Sequence, residues 1–144
     1  KLPRYEQTIS AALISTKEAV LSPMRPRLRE NFITEPQWRV MRVLNDRGST
    51  DATGVAEVAL LHPPSVTRIL KELESRGIVV REVDPGDKRR AMAILTPEGR
   101  ELIRVIARDV RRVMNEYADR FGTERLERLL TELRALTAAI KGVE

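Results

Sequence analysis

The residues of this chain that could do chemistry are mostly basic side chains on predicted helices and on one hairpin, and they form no catalytic set. His62 is the only histidine and there is no cysteine in the 144 residues, which argues against a thiol nucleophile, a disulfide or a structural zinc site. No serine–histidine–aspartate pattern and no glycine-rich phosphate loop occurs. We therefore expect no enzymatic activity, no cofactor and no metal.

One predicted helix carries residues whose types and spacing suit contact with DNA. From Pro63 to Arg76 apolar residues recur at helical spacing, and the opposite face of this predicted helix is polar. Arginine and lysine can bind base edges or phosphates, and hydroxyl groups near a helix start can donate hydrogen bonds. The residues of this helix that we expect to contact DNA are Pro64, Ser65, Thr67, Arg68 and Lys71.

A β-hairpin is predicted directly after that helix. Residues 78–83 are rich in β-branched types, residues 84–87 read as a turn, and residues 91–95 form the returning strand. An arginine at the tip of such a hairpin suits a narrow minor groove, where the negative potential is enhanced. The tip residues expected to contact DNA are Asp87, Lys88, Arg89 and Arg90, with Asp87 pairing with Arg89 to hold its orientation.

Five further residues suggest a binding site for a small organic acid. Met24 and Arg25 lie near a predicted helix break, and Trp38, Arg39 and Arg42 lie on the next helix. An arginine in apolar surroundings binds a carboxylate well, and a tryptophan can stack on an aromatic ring. Arg39 and Arg42 are three residues apart and share a helix face. A purely structural interpretation stays open, with the tryptophan in the core and the arginines facing solvent or the DNA backbone.

The charge balance favours an anionic partner, either nucleic acid or an anionic membrane surface. The net charge is +5, and residues 1–47 carry nine Lys or Arg against five Asp or Glu. Residues 62–90 carry seven against five, whereas residues 97–144 are nearly balanced at ten against nine. No apolar run approaches the roughly 20 residues of a membrane span, and no signal peptide pattern opens the chain. We expect no membrane association and a cytoplasmic location.

Helix start and stop signals predict the elements that position these residues. A long first helix over residues 4–22 should bend or loosen near Ser22–Arg29, because Pro23 and Pro26 interrupt it. A capping box at Thr34 begins the second helix.

Later signals complete the element order. Asp51 suits the N-cap of a short third helix, and Pro63 suits the first position of the fourth. After the hairpin, Thr96 caps a helix about 35 Å long, and Gly122 separates it from a leucine-rich last helix. Three helices followed by a hairpin, between flanking helices, predict a winged helix-turn-helix fold, mainly α with a small β-hairpin wing.

Several of these segments resemble the MarR family of transcription regulators. They are residues 33–38, 64–70 and 73–79, and the Asp-x-Arg run at 87–89 followed by Leu-Thr-Pro-Glu-Gly at 95–99. The resemblance spans nearly the whole chain, and its last part is fairly specific. A further combination, at residues 17–19, 25–26, 37–40 and 64–67, is similar to repressors of homoprotocatechuate (4-hydroxyphenylacetate) catabolism genes.

The resemblance implies a homodimer on double-stranded DNA. One domain over residues 1–144 would combine a DNA-binding lobe at 34–97 with dimerisation helices at 1–30 and 98–144. Its function would be that of a repressor of an aromatic-catabolism operon, bound to a pseudo-palindromic operator and released by a small aromatic acid. An architectural or protein-binding winged helix without ligand response is the alternative. The chain departs from the family pattern at His62-Pro63-Pro64, where a capping residue is common.

Overall fold

The structure, a computed structural model, describes all residues 1–144 and is mainly helical. After a short 3-10 turn at Tyr5–Gln7, the helices are α1 (Ile9–Leu21), α2 (Arg25–Arg29), α3 (Glu35–Arg47), α4 (Ala52–Ala59), α5 (Pro63–Ser75), α6 (Pro97–Phe121) and α7 (Thr123–Ile140). The strands β1 (Thr50–Asp51), β2 (Val79–Asp84) and β3 (Asp87–Leu95) form an antiparallel sheet in the order β1-β3-β2. The predicted winged helix-turn-helix fold class is confirmed.

The first helix is interrupted in the predicted region. Helix α1 ends at Leu21 and the chain re-enters a helix only at Arg25, with Pro26 in the first turn of α2. The start of α1 lies later than predicted, because the Thr8 side chain accepts the backbone N–H of Ala11 at 3.1 Å and so caps the helix there.

Local capping signals explain the starts of α3 and α4. Thr34 and Gln37 form the predicted capping box, and α3 ends at Gly48, whose φ of +74° suits a residue without a Cβ. Asp51 caps α4 by accepting the backbone N–H of Gly54 at 2.8 Å. The same residue belongs to β1, a two-residue strand too short to leave a sequence pattern.

Helices α3, α4 and α5 supply most of the core. The predicted apolar face of α5 is fully or almost fully buried. Its residues are Val66, Ile69, Leu70 and Leu73. Other buried residues of the core are also apolar, including Val40, Met41, Leu44, Val55 and Ile106. Burying one face of α5 in this way leaves its other face for solvent or a ligand.

The wing is longer than the sequence indicated. Strand β2 pairs with β3 in regular register from Val79 opposite Leu95 to Val83 opposite Ala91. The register then shifts, so that Asp84 lies opposite Asp87 and Pro85-Gly86 form the turn. We predicted that the second strand begins at residue 91, but residues 88–90 belong to β3. The tight turn arises because the Asp84 side chain accepts the backbone N–H of Gly86 at 2.9 Å.

The chain divides into two compact units, residues 1–109 and 110–144. In the second unit α6 ends at Phe121, Gly122 has a φ of +100°, and α7 follows. No residue of α7 is buried within the chain, and its side chains Leu129, Leu130 and Ile140 are between 38% and 55% exposed. None of the helices combines the length and apolarity that crossing a bilayer requires.

Candidate nucleic-acid interface and small-molecule pocket

Helix α5 presents the polar face that the sequence predicted. Pro64, Arg68 and Lys71 are exposed, whereas Ser65 and Thr67 are half-buried on its flanks. The Thr67 hydroxyl donates to the carbonyl of Pro63 at 3.1 Å, so its hydrogen is engaged within the first turn. At the helix start His62 occupies the N-cap position without a side-chain capping bond.

On the wing, Asp87, Lys88, Arg89 and Arg90 are all exposed. The expectation that the Asp87 carboxylate pairs with the Arg89 guanidinium is wrong. The Asp87 carboxylate accepts the backbone N–H of Arg89 at 3.0 Å, which is a turn-forming bond. The Arg89 guanidinium has no carboxylate partner, and the residue is exposed.

Arg90 anchors the wing to the rest of the first unit. Its Nε donates to Oδ2 of Asp51 at 2.7 Å, and its Nη1 lies 3.5 Å from Oδ2 of Asp84. The hydrogen bond from Arg90, reinforced by the backbone N–H of Gly54, lowers the pKa of Asp51 below its usual value. Arg90 therefore joins β3 to β1 and to the end of β2, and its guanidinium is less available to DNA than that of Arg89.

A cavity of about 430 Å³ lies among α1, α2, α3 and α4. This volume falls in the range of roughly 300–1,000 Å³ that is typical of small-molecule sites. Four of the five residues predicted for a ligand site line it: Met24, Trp38, Arg39 and Arg42. The remaining lining residues are Leu21, Leu28, Glu35, Val43, Val58, Ala59 and Leu60.

Arg39 is already bound by protein groups. Its Nε lies 3.1 Å from Oε1 of Glu35, as an ion pair without an aligned hydrogen bond, and its Nη1 donates to the carbonyl of Ala59 at 2.9 Å. Both ion-pair partners are largely buried, with 33% and 18% of their side chains exposed. The ion pair therefore adds almost no net charge to the cavity. The hydrogen bond to Ala59 joins α3 to the end of α4.

Unlike Arg39, Arg42 has no carboxylate or carbonyl partner, and its guanidinium contacts only an aromatic ring. Its Cζ lies 5.8 Å from the centre of the Trp38 ring, which is cation–π distance. The Trp38 ring is 6% exposed, so it forms a wall of the cavity while Arg42 remains exposed. The cavity therefore combines aliphatic walls, one aromatic wall and one uncompensated positive charge.

Arg25 lies apart from that cavity. It lines a neighbouring cavity with Arg29 and Thr34, and its two terminal nitrogens bind the Glu18 carboxylate at 2.5 and 2.9 Å. The hydrogen bond from Arg25 lowers the pKa of Glu18. Its guanidinium fork therefore connects α2 with α1, and a ligand would have to displace Glu18 to reach it.

The sequence interpretation missed Glu35, Asp51 and Glu72 as members of these sites. Glu35 carried a usable signal, because it precedes Arg39 by four residues on one helix. Glu72 carried the same signal toward Arg68, four residues earlier, but none toward Gln37, which lies 35 residues away along the chain. Asp51 carried no signal of its contact with Arg90, which lies 39 residues away.

The fold and these surfaces together define a winged-helix protein of the transcription-regulator class. Residues 33–91 match the MarR family. FarR of Neisseria gonorrhoeae, an HTH-type transcriptional regulator, is 35% identical over 136 residues, which cover 92% of this chain and 93% of FarR. The homoprotocatechuate degradative operon repressor of Escherichia coli is 30% identical over 122 residues, 85% of this chain and 82% of that protein.

A solved structure supports the same assignment. NadR in complex with 4-hydroxyphenylacetate is 32% identical, with a TM-score of 0.81 over 100% of this chain and 99% of NadR. The chain belongs to the MarR family and is a transcriptional regulator.

Proposed function

We propose that this protein is an effector-responsive homodimeric repressor that binds a pseudo-palindromic operator and controls genes for the breakdown of an aromatic acid. The observation that carries the effector part is the position of Arg42 over Trp38 in a mainly apolar cavity whose other two charged residues, Glu35 and Arg39, pair with each other. The names of two relatives point the same way, since one represses a homoprotocatechuate degradative operon and another was solved with 4-hydroxyphenylacetate.

The DNA contacts are assigned to α5 and the wing. A helix with one buried and one basic face fits the major groove, where Arg68 can reach base edges and Lys71 a phosphate. Pro64, Ser65 and Thr67 lie at the N-terminal end of α5, the part of a recognition helix that enters the groove. Extended side chains at 88–89 suit the adjacent minor groove, with Arg90 and Asp87 maintaining the shape of the wing.

The dimer is assigned to the terminal helices. Neither α1 nor α7 buries a residue within the single chain. In α1, Ile9 and Ile14 are 60% and 61% exposed, and in α7 Leu130 and Ile140 are 43% and 55% exposed. Apolar helix faces of this kind favour burial against a second copy of the chain. A two-fold dimer would place two α5 helices in successive major grooves, about 34 Å apart.

The effector is assigned the chemistry of an aromatic monocarboxylate. Glu35 and Arg39 neutralise each other, so Arg42 contributes the net charge of the cavity. A single carboxylate satisfies that charge, and an aromatic ring suits Trp38 and the aliphatic walls. Arg25, held by Glu18, is not assigned to the effector.

Effector binding would release DNA by favouring a dimer with a different spacing of its α5 helices. A ligand shifts such an equilibrium only by the difference between its affinities for the two states. The cavity is suited to this role because residues from α1 to α4 meet there, close to the helices that support α5.

The experiment that tests DNA recognition is selection of duplexes from a random library, followed by a salt titration with the best one. We expect an inverted repeat whose half-site centres lie about one helical turn apart, and an affinity that falls with salt. Salt-sensitive binding without sequence preference would contradict the proposal and favour an architectural role. Absence of DNA binding would favour a protein-interaction module.

A further inference from the structure

Gln37 is a buried polar residue at the start of α3, with only 9% of its surface exposed. Its Oε1 accepts the backbone N–H of Thr34 at 3.0 Å, the return bond of the capping box. Because that bond engages the oxygen of the amide, the nitrogen faces the recognition helix as a donor. Nε2 of Gln37 donates to Oε2 of Glu72 on α5 at 2.9 Å.

The second oxygen of Glu72 faces Arg68. Oε1 of Glu72 lies 3.7 Å from Nε of Arg68, one helical turn earlier. The two side chains are 44% and 70% exposed, and ion pairs in such positions contribute little to stability. A role for this contact is therefore to be sought in the orientation of Arg68 rather than in the stability of the fold.

Orientation matters for an arginine that recognises a base. The guanidinium is planar, and specific contact with guanine uses two N–H groups at once. Nε is the nitrogen of Arg68 that pairs with Glu72, and the two terminal nitrogens have no protein partner. An exposed arginine without such a neighbour would lose more rotamer freedom when it binds.

We propose that Glu72 is a positioning residue for Arg68, that Gln37 holds its carboxylate in place, and that this pair sets the base preference where Arg68 contacts DNA. The inference rests on the proposed function, because it requires α5 to bind DNA. It adds a residue of α3 to the determinants of specificity, although Gln37 is buried and cannot itself reach a base.

The test exchanges the amide and the carboxylate between the two positions. Gln37→Glu keeps the capping box, because glutamate is a preferred residue there, but it replaces the donor to Glu72 with a second carboxylate. Glu72→Gln combined with Gln37→Glu restores a donor and an acceptor in the reverse direction. Asn45→Asp adds the same charge to an exposed site on α3 and serves as the matched control.

Binding is measured for the selected duplex and for duplexes with each base substitution, and Arg68→Ala first identifies the base pair that Arg68 recognises. We expect Gln37→Glu to reduce the preference at that base pair by about fivefold or more, while preferences elsewhere persist. The double variant should recover most of the preference, and Asn45→Asp should keep it. Thermal unfolding of each variant establishes that it is folded.

Two results would overturn the inference while leaving the proposed function intact. One is a folded Gln37→Glu protein with wild-type base preference, or with equal loss of affinity for every duplex. The other is a folded double variant that recovers nothing. A wild-type protein without any sequence preference would instead overturn the proposed function, and this inference with it.

Discussion

Arg39 and Arg42 lie one turn apart on α3 and both line the same cavity, but only Arg39 has a carboxylate partner. The difference comes from Glu35, which is four residues before Arg39 and thus on the same side of the helix. Arg42 is left with the Trp38 ring. The part-buried Arg39–Glu35 ion pair holds Arg39 within the protein, whereas under the proposed function Arg42 binds the carboxylate of the effector.

We predict that Arg42→Gln weakens binding of 4-hydroxyphenylacetate by about tenfold or more, because a charge-assisted hydrogen bond contributes roughly 1.5–3 kcal/mol. Isothermal titration calorimetry measures this directly. Arg47→Gln, an exposed change in the last turn of the same helix, is the control and should bind as the wild type does. Equal affinities of Arg42→Gln and wild type would show that the carboxylate is bound elsewhere.

The sequence could place Arg39, Arg42 and Trp38 together, because their spacing alone puts them on neighbouring faces of a helix. The spacing of Glu35 and Arg39 also indicates which of the two arginines has a carboxylate partner. The second partner of Arg39, the carbonyl of Ala59, belongs to another helix and could not be predicted from local spacing. The pairing of Arg25 with Glu18 could not be predicted in this way either, since the two residues lie on opposite sides of the helix break.

At the scale of elements, the wing is held at both ends. Its tip is closed by carboxylates that accept backbone N–H groups, and its base is joined to β1 through Arg90 and Asp51. Asp51 thus serves α4 as its cap and the wing as its anchor. Local capping signals predicted the first role, but the second needs the pairing of β1 with β3, which no local pattern encodes.

Asp51→Asn should separate these two roles, because asparagine still caps α4 but cannot pair electrostatically with Arg90. The pKa of folded Asp51 is lowered, so the ion pair stabilises the protein above about pH 4 and loses this effect as pH falls through the lowered pKa. We expect the free energy of unfolding of the wild type to exceed that of Asp51→Asn by about 0.5–1 kcal/mol at pH 6. The difference is modest because Arg90 is half-exposed.

Urea unfolding from pH 6 down to pH 3 measures the difference between these two proteins. The difference should begin to shrink at about pH 4, where Asp51 of the unfolded state takes up a proton, and should go on shrinking as the pH falls toward the lowered pKa of folded Asp51. A difference that stays constant over this range would contradict the electrostatic account of the wing anchor.

The start of α6 depends on a close approach that only glycine permits. A Cβ at Gly99 would overlap the backbone carbonyl of Ile78, which also accepts hydrogen bonds from Thr96. We predict that Gly99→Ala lowers the free energy of unfolding by about 1–3 kcal/mol through this overlap. The family-like Leu-Thr-x-x-Gly run is thereby explained by packing between the end of the wing and α6.

Gly86→Ala is the matched control, since a Cβ there would lie 3.6 Å from Oδ1 of Asp84, an ordinary contact. Its stability should stay within about 0.5 kcal/mol of the wild type. If urea unfolding gave the same midpoint for Gly99→Ala and wild type, the proposed overlap would have no energetic consequence.

For the whole molecule, the helix order and the basic face of α5 could be predicted from the sequence, because both follow from periodicity and local caps. The partner of the terminal helices could be inferred only by resemblance. Neither α1 nor α7 buries a residue within the single chain, and under the proposed function a second copy covers their apolar residues.

We predict a dimer whose formation requires the apolar face of α7. Leu130→Glu places a charge on that face and should shift the protein toward monomer, since burying an unpaired carboxylate is costly. Ala135→Glu, on the opposite face of the same helix, should remain dimeric. Light scattering after gel filtration distinguishes these outcomes, and a monomeric wild type or a dimeric Leu130→Glu would contradict the assignment.

The most direct test of the whole account is the affinity for the selected operator duplex, measured by fluorescence anisotropy while 4-hydroxyphenylacetate or homoprotocatechuate is added. We predict that an aromatic acid weakens operator binding by about tenfold or more, that butyrate has no such effect, and that Arg42→Gln binds the operator but does not respond. An operator affinity that neither aromatic acid changes in the wild type would contradict the account and leave a winged-helix regulator without this response.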